Sequence, residues 1–514
     1  MPVQAFVNDL KSPQIIALAM SVLCVACVPL WLVEIPPLVD YPNHMARMHI
    51  LVNVERSAWL SQYYEIRWAV LPNLAMDLVI PVLAKVMPLE TAGKVFIALT
   101  FSLLFGGVIA LHAALHRRWS LWPLLAVLFL YNSVLLWGFL NYLFGLGMAL
   151  CTFAGWVTFR STPHRWTIPF FSVCAALIFL SHLFAFGFYI MVVVAYELGQ
   201  YYKERREGRR AWEMTWPKAA AQFALPVVLF ALSATIDSRP ENLPSWLRYA
   251  ENPHGVRFGR LATKVEAFKG TLRTFNPVLD KATVIILLAL VGMGLIARRL
   301  SLASTMYWPL AIVGVATFVM PASIFTGTFV EMRLPIALVL LSIASSDMRV
   351  KERRWILTIV MILGVVFIVR MAQISFHWQE AERKYSEYLQ AIEKLPVGAR
   401  LFSAVTYPNY RDPLPIPMDQ LACWAVIKKS AFVSTIFAFP TQQPLALTAP
   451  YRRVLTIDAV FDRHFPVPWN IIAMQYEYLL VVREQFFDQP LPSGFIPMYE
   501  GEDFRLYRIP RSAG

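Results

Sequence analysis

Charge is scarce in this chain: Asp, Glu, Lys and Arg make up 15% of its 514 residues, against 58% hydrophobic. A soluble protein of that length needs a far more polar surface, so the composition excludes a water-soluble globular enzyme and leaves a polytopic membrane protein. Cysteine is sparse as well. Cys24, Cys27, Cys151 and Cys174 lie inside apolar segments, where a thiol acts as a small hydrophobe, and Cys423 stands alone in the C-terminal region, which excludes a disulfide framework there. Cys24 and Cys27 have C-x-x-C spacing but no second pair, so packing is a better reading than a metal or redox role. A Walker sequence, H-E-x-x-H, G-x-S-x-G and an internal repeat are all missing. Nucleotide hydrolysis, zincin and serine-hydrolase chemistry therefore have no motif support, and an inverted-repeat transporter is weakened.

Apolar segments are abundant. Membrane-length runs fall at about 15–34, 91–115, 119–135, 139–159, 166–181, 183–200, 217–236, 281–297, 305–323, 333–346 and 355–374, giving an all-α membrane fold of about eleven transmembrane helices. The start, MPVQAFVNDLKSPQ, precedes an apolar run without a small-residue cleavage site, so the first run is expected to be a retained span.

The net charge of +13 is not gathered in an aromatic-interleaved domain, which argues against nucleic acid as a partner. Instead the basic residues recur in alternate connections: "HRRW", "RSTPHRW", "YYKERREGRR", "ARRL" and "DMRVKERRW". The intervening turns near Leu136, Ser181 and Thr326 carry no Lys or Arg. Because short basic loops are retained in the cytoplasm, this alternation predicts a cytoplasmic N-terminus in a multi-pass inner membrane protein. "YYKERREGRR" can also touch anionic membrane lipids.

Three longer pieces then fall outside: a first loop at 35–90, a second at 237–280, and a tail from about 375 to 514. In the first, "NLAMDLVIPVLAKVMP" is short and interrupted by Pro81 and Pro88, and reads as a helix at the interface. The tail alternates β-type runs ("RLFSAVTY", "VLTIDAV", "YEYLLVVRE", "FRLYRI") with turn-rich stretches, and "MDQLACWAVIKKSA" has helical spacing. The expected organisation is a transmembrane domain over 1–374 and a small α/β extracytoplasmic domain over 375–514.

Polar residues at outer span ends are the candidates for chemistry. In "PPLVDYPNHMARMHIL", Asp40, His44 and Arg47 share one face of a helix that Pro42 can open. From the local sequence Asp40 reads first as an N-cap for that helix and then as a reactive carboxylate, and one oxygen can cap while the other faces a cleft. Asn132 and Asn141 flank a turn, His182 sits in "LSHLFAFG", Asp237 ends the seventh span, and "FVEMRLP" carries Glu331 and Arg333. Ionisable groups at such depths need partners or a polar cavity, so several on one side point to a site there. For Glu331 and Arg333 the alternatives are mutual pairing and a phosphate-binding role. In "GFLNYLFGLG" the small residues are spaced for close helix packing rather than for a nucleotide loop.

One N-terminal span, a long first outer loop with an acid near its start, interfacial helices, further spans and a C-terminal outer domain resemble the GT-C class of integral-membrane glycosyltransferases. The residues that carry the resemblance are "VDYPNHMAR" and, more weakly, "FVEMRLP". The resemblance implies transfer of a sugar from a polyprenyl-phosphate carrier to a lipid or glycan acceptor on the extracytoplasmic face. It implies that Asp40 is the catalytic base or acceptor-orienting acid, that Arg333 holds the carrier phosphate, and that His44, Arg47, His182, Glu331 and Asn141 belong to the substrate site. Val39, not a second acid of a D-x-D-like metal site, precedes Asp40. No cofactor is expected, and a divalent metal stays open. The rival readings are a transporter or flippase of lipid-linked or small polar cargo, and a non-catalytic envelope-assembly scaffold.

Overall fold

The computed structural model describes residues 12–161, 164–208, 212–233, 255–324, 327–350, 352–406, 416–456, 467–486 and 490–510. Its helices follow the apolar runs. They are α1 (Ser12–Trp31), then α2 (Tyr41–Asn53), α3 (Ala58–Tyr63) and α4 (Ala75–Leu83) in the first loop, and α5 (Leu89–His116). Next come α6 (Ser133–Leu136), α7 (Leu140–Phe159), α8 (Thr167–Ser181), α9 (Leu183–Arg206), α10 (Trp212–Ala221) and α11 (Ala224–Ser233). Beyond them lie α12 (Leu261–Lys269), α13 (Pro277–Ile296), α14 (Tyr307–Val319), α15 (Arg333–Ser345), α16 (Arg353–Glu393), α17 (Trp424–Lys429) and α18 (Trp469–Gln475).

Among the described residues seven stretches are long and apolar enough to cross a membrane: α1, α5, α7, α9, Thr215–Ser233, α13 and α16. The other expected spans are shorter apolar helices. The run expected at 119–135 is a 3-10 helix (Trp122–Phe129) followed by the four-residue α6, with Pro123 at its start. The nine residues of α4 rise only about 14 Å, less than half a bilayer core, so this segment does not span. At 41 residues α16 rises about 60 Å, which carries it past the expected boundary at 374 into the C-terminal domain.

The glycines of "GFLNYLFGLG" serve packing. A Cβ on Gly147 would meet Leu103 Cβ of α5 at 2.7 Å, and one on Gly145 would meet Ala185 Cβ of α9 at 2.9 Å. Close approach of α7 to both neighbours therefore requires them.

The connections sort to two ends of the bundle. At one end β3 (Leu300–Leu302) pairs antiparallel with β5 (Ser346–Met348), Arg118 meets Asp347 at 2.6 Å, and Arg160 meets Glu197 at 2.6 Å. This is the end of the basic loops. At the other end β2 (Val256–Arg257) pairs with β4 (Ser323–Ile324), and the Leu74 and Leu183 amides donate to Leu180 and Pro72 carbonyls at 2.8 and 3.1 Å.

The C-terminal domain also sits at this second end. Its five-stranded mixed sheet has the order β10 (Ile496–Glu500), β11 (Phe504–Arg508), β9 (Tyr478–Val482), β6 (Arg400–Val405), β7 (Phe432–Val433). β6 is parallel to both its neighbours, β9 and β7, and β9, β11 and β10 run antiparallel in turn. Three of the four β-type runs form strands as expected. In "VLTIDAV" residues 454–456 are not strand and the rest lies outside the described residues. The first loop is not separate from this domain: β1 (Tyr64–Ile66) pairs with β8 (Leu445–Leu447), and the Asn43 amide donates to Gln420 and to the Thr435 carbonyl. Loop and domain form one outer layer over the bundle mouth.

Candidate functional site

Asp40 occupies the N-cap position of α2, yet its side chain makes no capping hydrogen bond, and its backbone is already helical at φ −86°, ψ −7°. An N-cap carboxylate needs an extended backbone to fold back on the first turn, so the capping geometry is not adopted. The carboxylate is half-buried at the end of the bundle where the first loop docks. Its backbone is fixed from outside the helix: the Val39 and Asp40 amides donate to the Leu136 and Trp137 carbonyls at 2.9 and 3.2 Å. Gly138 completes this contact. It has φ +88°, and a Cβ there would stand 2.9 Å from both Asp40 Cβ and Asp40 N. Only glycine meets both demands.

Behind Asp40 runs a buried chain of side chains. Arg47 pairs with Asp77 of α4 through Nε–Oδ1 at 2.8 Å and Nη2–Oδ2 at 3.1 Å, with neither side chain exposed. Its Nη1 donates to Gln443 of the C-terminal domain and, at 3.2 Å, to His44 Nδ1. Since a guanidinium can only donate, Nδ1 is the acceptor, which leaves the ring proton on Nε2, and the Gly138 backbone stands near the ring. Burial and the Arg47 charge hold His44 well below the ordinary imidazole range, against the pull of that backbone, so the ring is neutral. Phe437 packs edge-on against it at 6.2 Å.

Arg333 opens α15 from the opposite wall. The guanidinium lies between two rings, 4.8 Å from the Phe139 centroid and 5.1 Å from Phe184, and Nη1 donates to the Thr328 carbonyl at 3.1 Å. Desolvated cation–π contacts of this kind are worth about 2 kcal/mol each. Its Nε is buried without a hydrogen-bond partner. Tyr142 donates to the Arg333 carbonyl at 2.6 Å, and both Tyr142 and Asp40 act on the guanidinium charge. Asp40 packs on Gly138 and Arg333 on the adjacent Phe139, so one turn of the chain separates them. Next to them the Trp137 indole, stacked on Phe329 at 4.6 Å, has a buried Nε1 that also lacks a partner. Phe329 itself has φ +53°, a left-handed conformation that costs a non-glycine residue about 1–3 kcal/mol and recurs at functional sites.

The other sequence candidates take supporting positions. His182 caps α9 by accepting from Phe184 N at 3.1 Å, lies edge-on to Tyr142 at 5.4 Å, and feels the Arg333 charge. Asn141 donates to the Asn73 carbonyl at 2.7 Å and accepts from Met76 N at 2.8 Å, which seats α4. Asn132 caps α6 through Leu135 N at 3.1 Å. Glu331 does not pair with Arg333; it binds Lys264 of α12 at 3.1 Å and accepts from Thr263. Asp237 lies outside the described residues. Among the described residues no three His, Cys, Asp or Glu side chains gather as a metal would require.

Sequence reasoning did not single out Asp77, Trp137, Gly138, Phe139, Phe184 or Gln443. Asp77 left a signal, being a lone acid in an apolar helix that also holds a proline. The aromatics and the glycine left none, since such residues are common at span ends, and Gln443 is one polar residue among many in the tail.

No family model matches the sequence, and no curated protein matches it. Solved structures do. The arabinofuranosyltransferase AftD from Mycobacteria is similar over 96% of this chain at 14% identity and a TM-score of 0.47; the chain spans 40% of that protein's length. ArnT from Cupriavidus metallidurans, solved bound to undecaprenyl phosphate, is similar over 98% of this chain and 99% of its own at 11% identity and a TM-score of 0.51. The shared arrangement with ArnT extends from the first span to the C-terminal sheet, and the chain has the GT-C fold.

Proposed function

We propose that this protein is a membrane glycosyltransferase that moves a sugar from a polyprenyl-phosphate carrier to a lipid or glycan acceptor at the extracytoplasmic face. The observation that carries the reading is that Asp40 packs on Gly138 while the Arg333 guanidinium packs on the next residue, Phe139, beside two buried donors, Arg333 Nε and Trp137 Nε1, that lack acceptors. An anionic phosphate supplies such acceptors. The ArnT structure, which holds undecaprenyl phosphate in the same fold, supports that choice of ligand.

In this reading Asp40 takes the proton of an acceptor hydroxyl as its oxygen attacks the anomeric carbon. The bond from that carbon to the phosphate oxygen breaks, and the electron pair leaves on the polyprenyl phosphate, whose charge Arg333 stabilises. A single displacement inverts the anomeric configuration. His44 and Arg47 act through Gly138 to hold Asp40, Glu331 fixes α12 against the site, and His182 and Asn141 shape its floor. In this reading the end with the basic loops lies in the cytoplasm and the site on the outer side of an inner membrane, which the retention of short basic loops supports.

The deciding experiment uses the purified chain in nanodiscs with undecaprenyl-phosphate-linked hexoses and pentoses and a lipid extract from the source envelope. Formation of a glycosidic product that is lost in Asp40→Asn is the expected result. Counterflow of substrate in sealed vesicles, without a new glycosidic bond, would establish the transporter reading instead.

A further inference from the structure

A second cleft lies in the outer layer, between α3 of the first loop and the C-terminal sheet. Its volume is about 420 Å³, within the roughly 300–1,000 Å³ range of small-molecule sites, and Trp59, Gln62, Tyr63, Arg400, Tyr451 and Glu477 line it. None of these residues belongs to the Asp40 site.

The cleft is built rather than incidental. Gly398 has φ +75°, and a Cβ there would fall 2.2 Å from the Trp59 ring, so the indole lies directly on the backbone and is held flat. Trp59 keeps 42% of its surface exposed toward the cleft it lines. Tyr63 fixes the same turn by donating to the Gly398 carbonyl at 2.6 Å and meets Tyr451 edge-on at 4.8 Å. Gln62 donates to the Tyr451 hydroxyl at 2.9 Å. Along the wall Arg400 and Glu477 pair at 3.4 Å, each about a third exposed.

From this arrangement we infer that the cleft binds a neutral saccharide, the distal part of a glycan acceptor. A pyranose or furanose ring presents an apolar face of C–H groups and a rim of hydroxyls. Trp59 and Tyr451 offer flat amphipathic faces for the first, and the planar amide, guanidinium and carboxylate of Gln62, Arg400 and Glu477 offer donors and acceptors for the second. The paired charges of Arg400 and Glu477 cancel, which favours an uncharged ligand over an anionic one. The inference deepens the proposed reading, since a transferase acting on a glycan benefits from holding the acceptor away from the bond being made.

The test applies the full-length protein in nanodiscs to an array of short neutral glucans, mannans, galactans and arabinans, with melting curves recorded for every variant. The wild type is expected to retain at least one of them. Trp59→Ala and Glu477→Gln should weaken it about tenfold or more, as truncation of an anchoring aromatic does, and Trp59→Phe should retain part of it. If the wild type binds no oligosaccharide, or if stably folded Trp59→Ala and Glu477→Gln bind as wild type does, the inference is wrong. Glycan binding that survives while Asp40-dependent transfer is absent would refute the transferase reading alone; the reverse pattern would refute the cleft alone.

Discussion

Arg47 and Asp77 form a two-point ion pair, at 2.8 and 3.1 Å, in which neither side chain reaches solvent. The pair locks α2 onto α4, and through Gln443 and His44 it joins the C-terminal domain to the backbone behind Asp40. Arg47 is thereby an internal brace: Asp77, Gln443 and His44 engage all three of its guanidinium nitrogens.

Removing one member of the pair should be costly. Arg47→Met or Asp77→Asn leaves a buried group uncompensated, a loss of about 3–5 kcal/mol. The double variant Arg47→Met/Asp77→Leu should recover much of it, because two well-packed apolar groups replace two desolvated charges. Thermal melts of the detergent-solubilised proteins measure this; single variants as stable as the wild type would refute the bracing role.

Asp40→Asn should lower transfer by about 100-fold or more, the range a positioned general base contributes, while leaving the melting curve nearly unchanged. The Asp40 side chain makes no capping hydrogen bond, so the substitution removes no helix cap. A drop in stability equal to that of a lost cap, with transfer intact, would return Asp40 to a structural role.

Gly138→Ala should cost about 1–3 kcal/mol from its left-handed backbone and displace Asp40 as well, since the added methyl carbon would meet Asp40 at 2.9 Å. Turnover should therefore fall further than stability predicts. Parallel measurement of kcat and of the melting temperature separates the two effects.

Arg333→Ala should raise the apparent KM for an undecaprenyl-phosphate-linked sugar about tenfold or more, and Arg333→Lys should recover only part of it. A lysine keeps the charge but cannot lie flat between Phe139 and Phe184. An unchanged KM in both variants would remove Arg333 from the donor site.

His44 gives a pH dependence with a definite sign. Its folded pKa is lowered well below 6.5, so in acid the unfolded chain binds a proton that the native state refuses. Its contribution to stability is complete above pH 6.5 and is lost as pH falls from there toward the folded pKa. Melts between neutral pH and about pH 5 should show a destabilisation that His44→Gln reduces, measured against the wild type at each pH.

Sequence alone determined the membrane character, the order of the apolar segments, the alternation of basic loops and the sheet-bearing tail. These are properties of composition and period, written into each segment without reference to any other. It also pointed to Asp40, because an acid beside a span is conspicuous, but it left the residue divided between cap and chemistry. Only the tertiary structure resolved the geometry. The carbonyls of Leu136 and Trp137 and the missing side chain of Gly138 hold the Asp40 backbone in a helical turn, where its carboxylate does not cap α2. It likewise separated Glu331 from Arg333, two positions apart, sending one to Lys264 and the other between two rings. Such pairings join segments distant along the chain, and nothing local in a sequence fixes which buried acid meets which buried base.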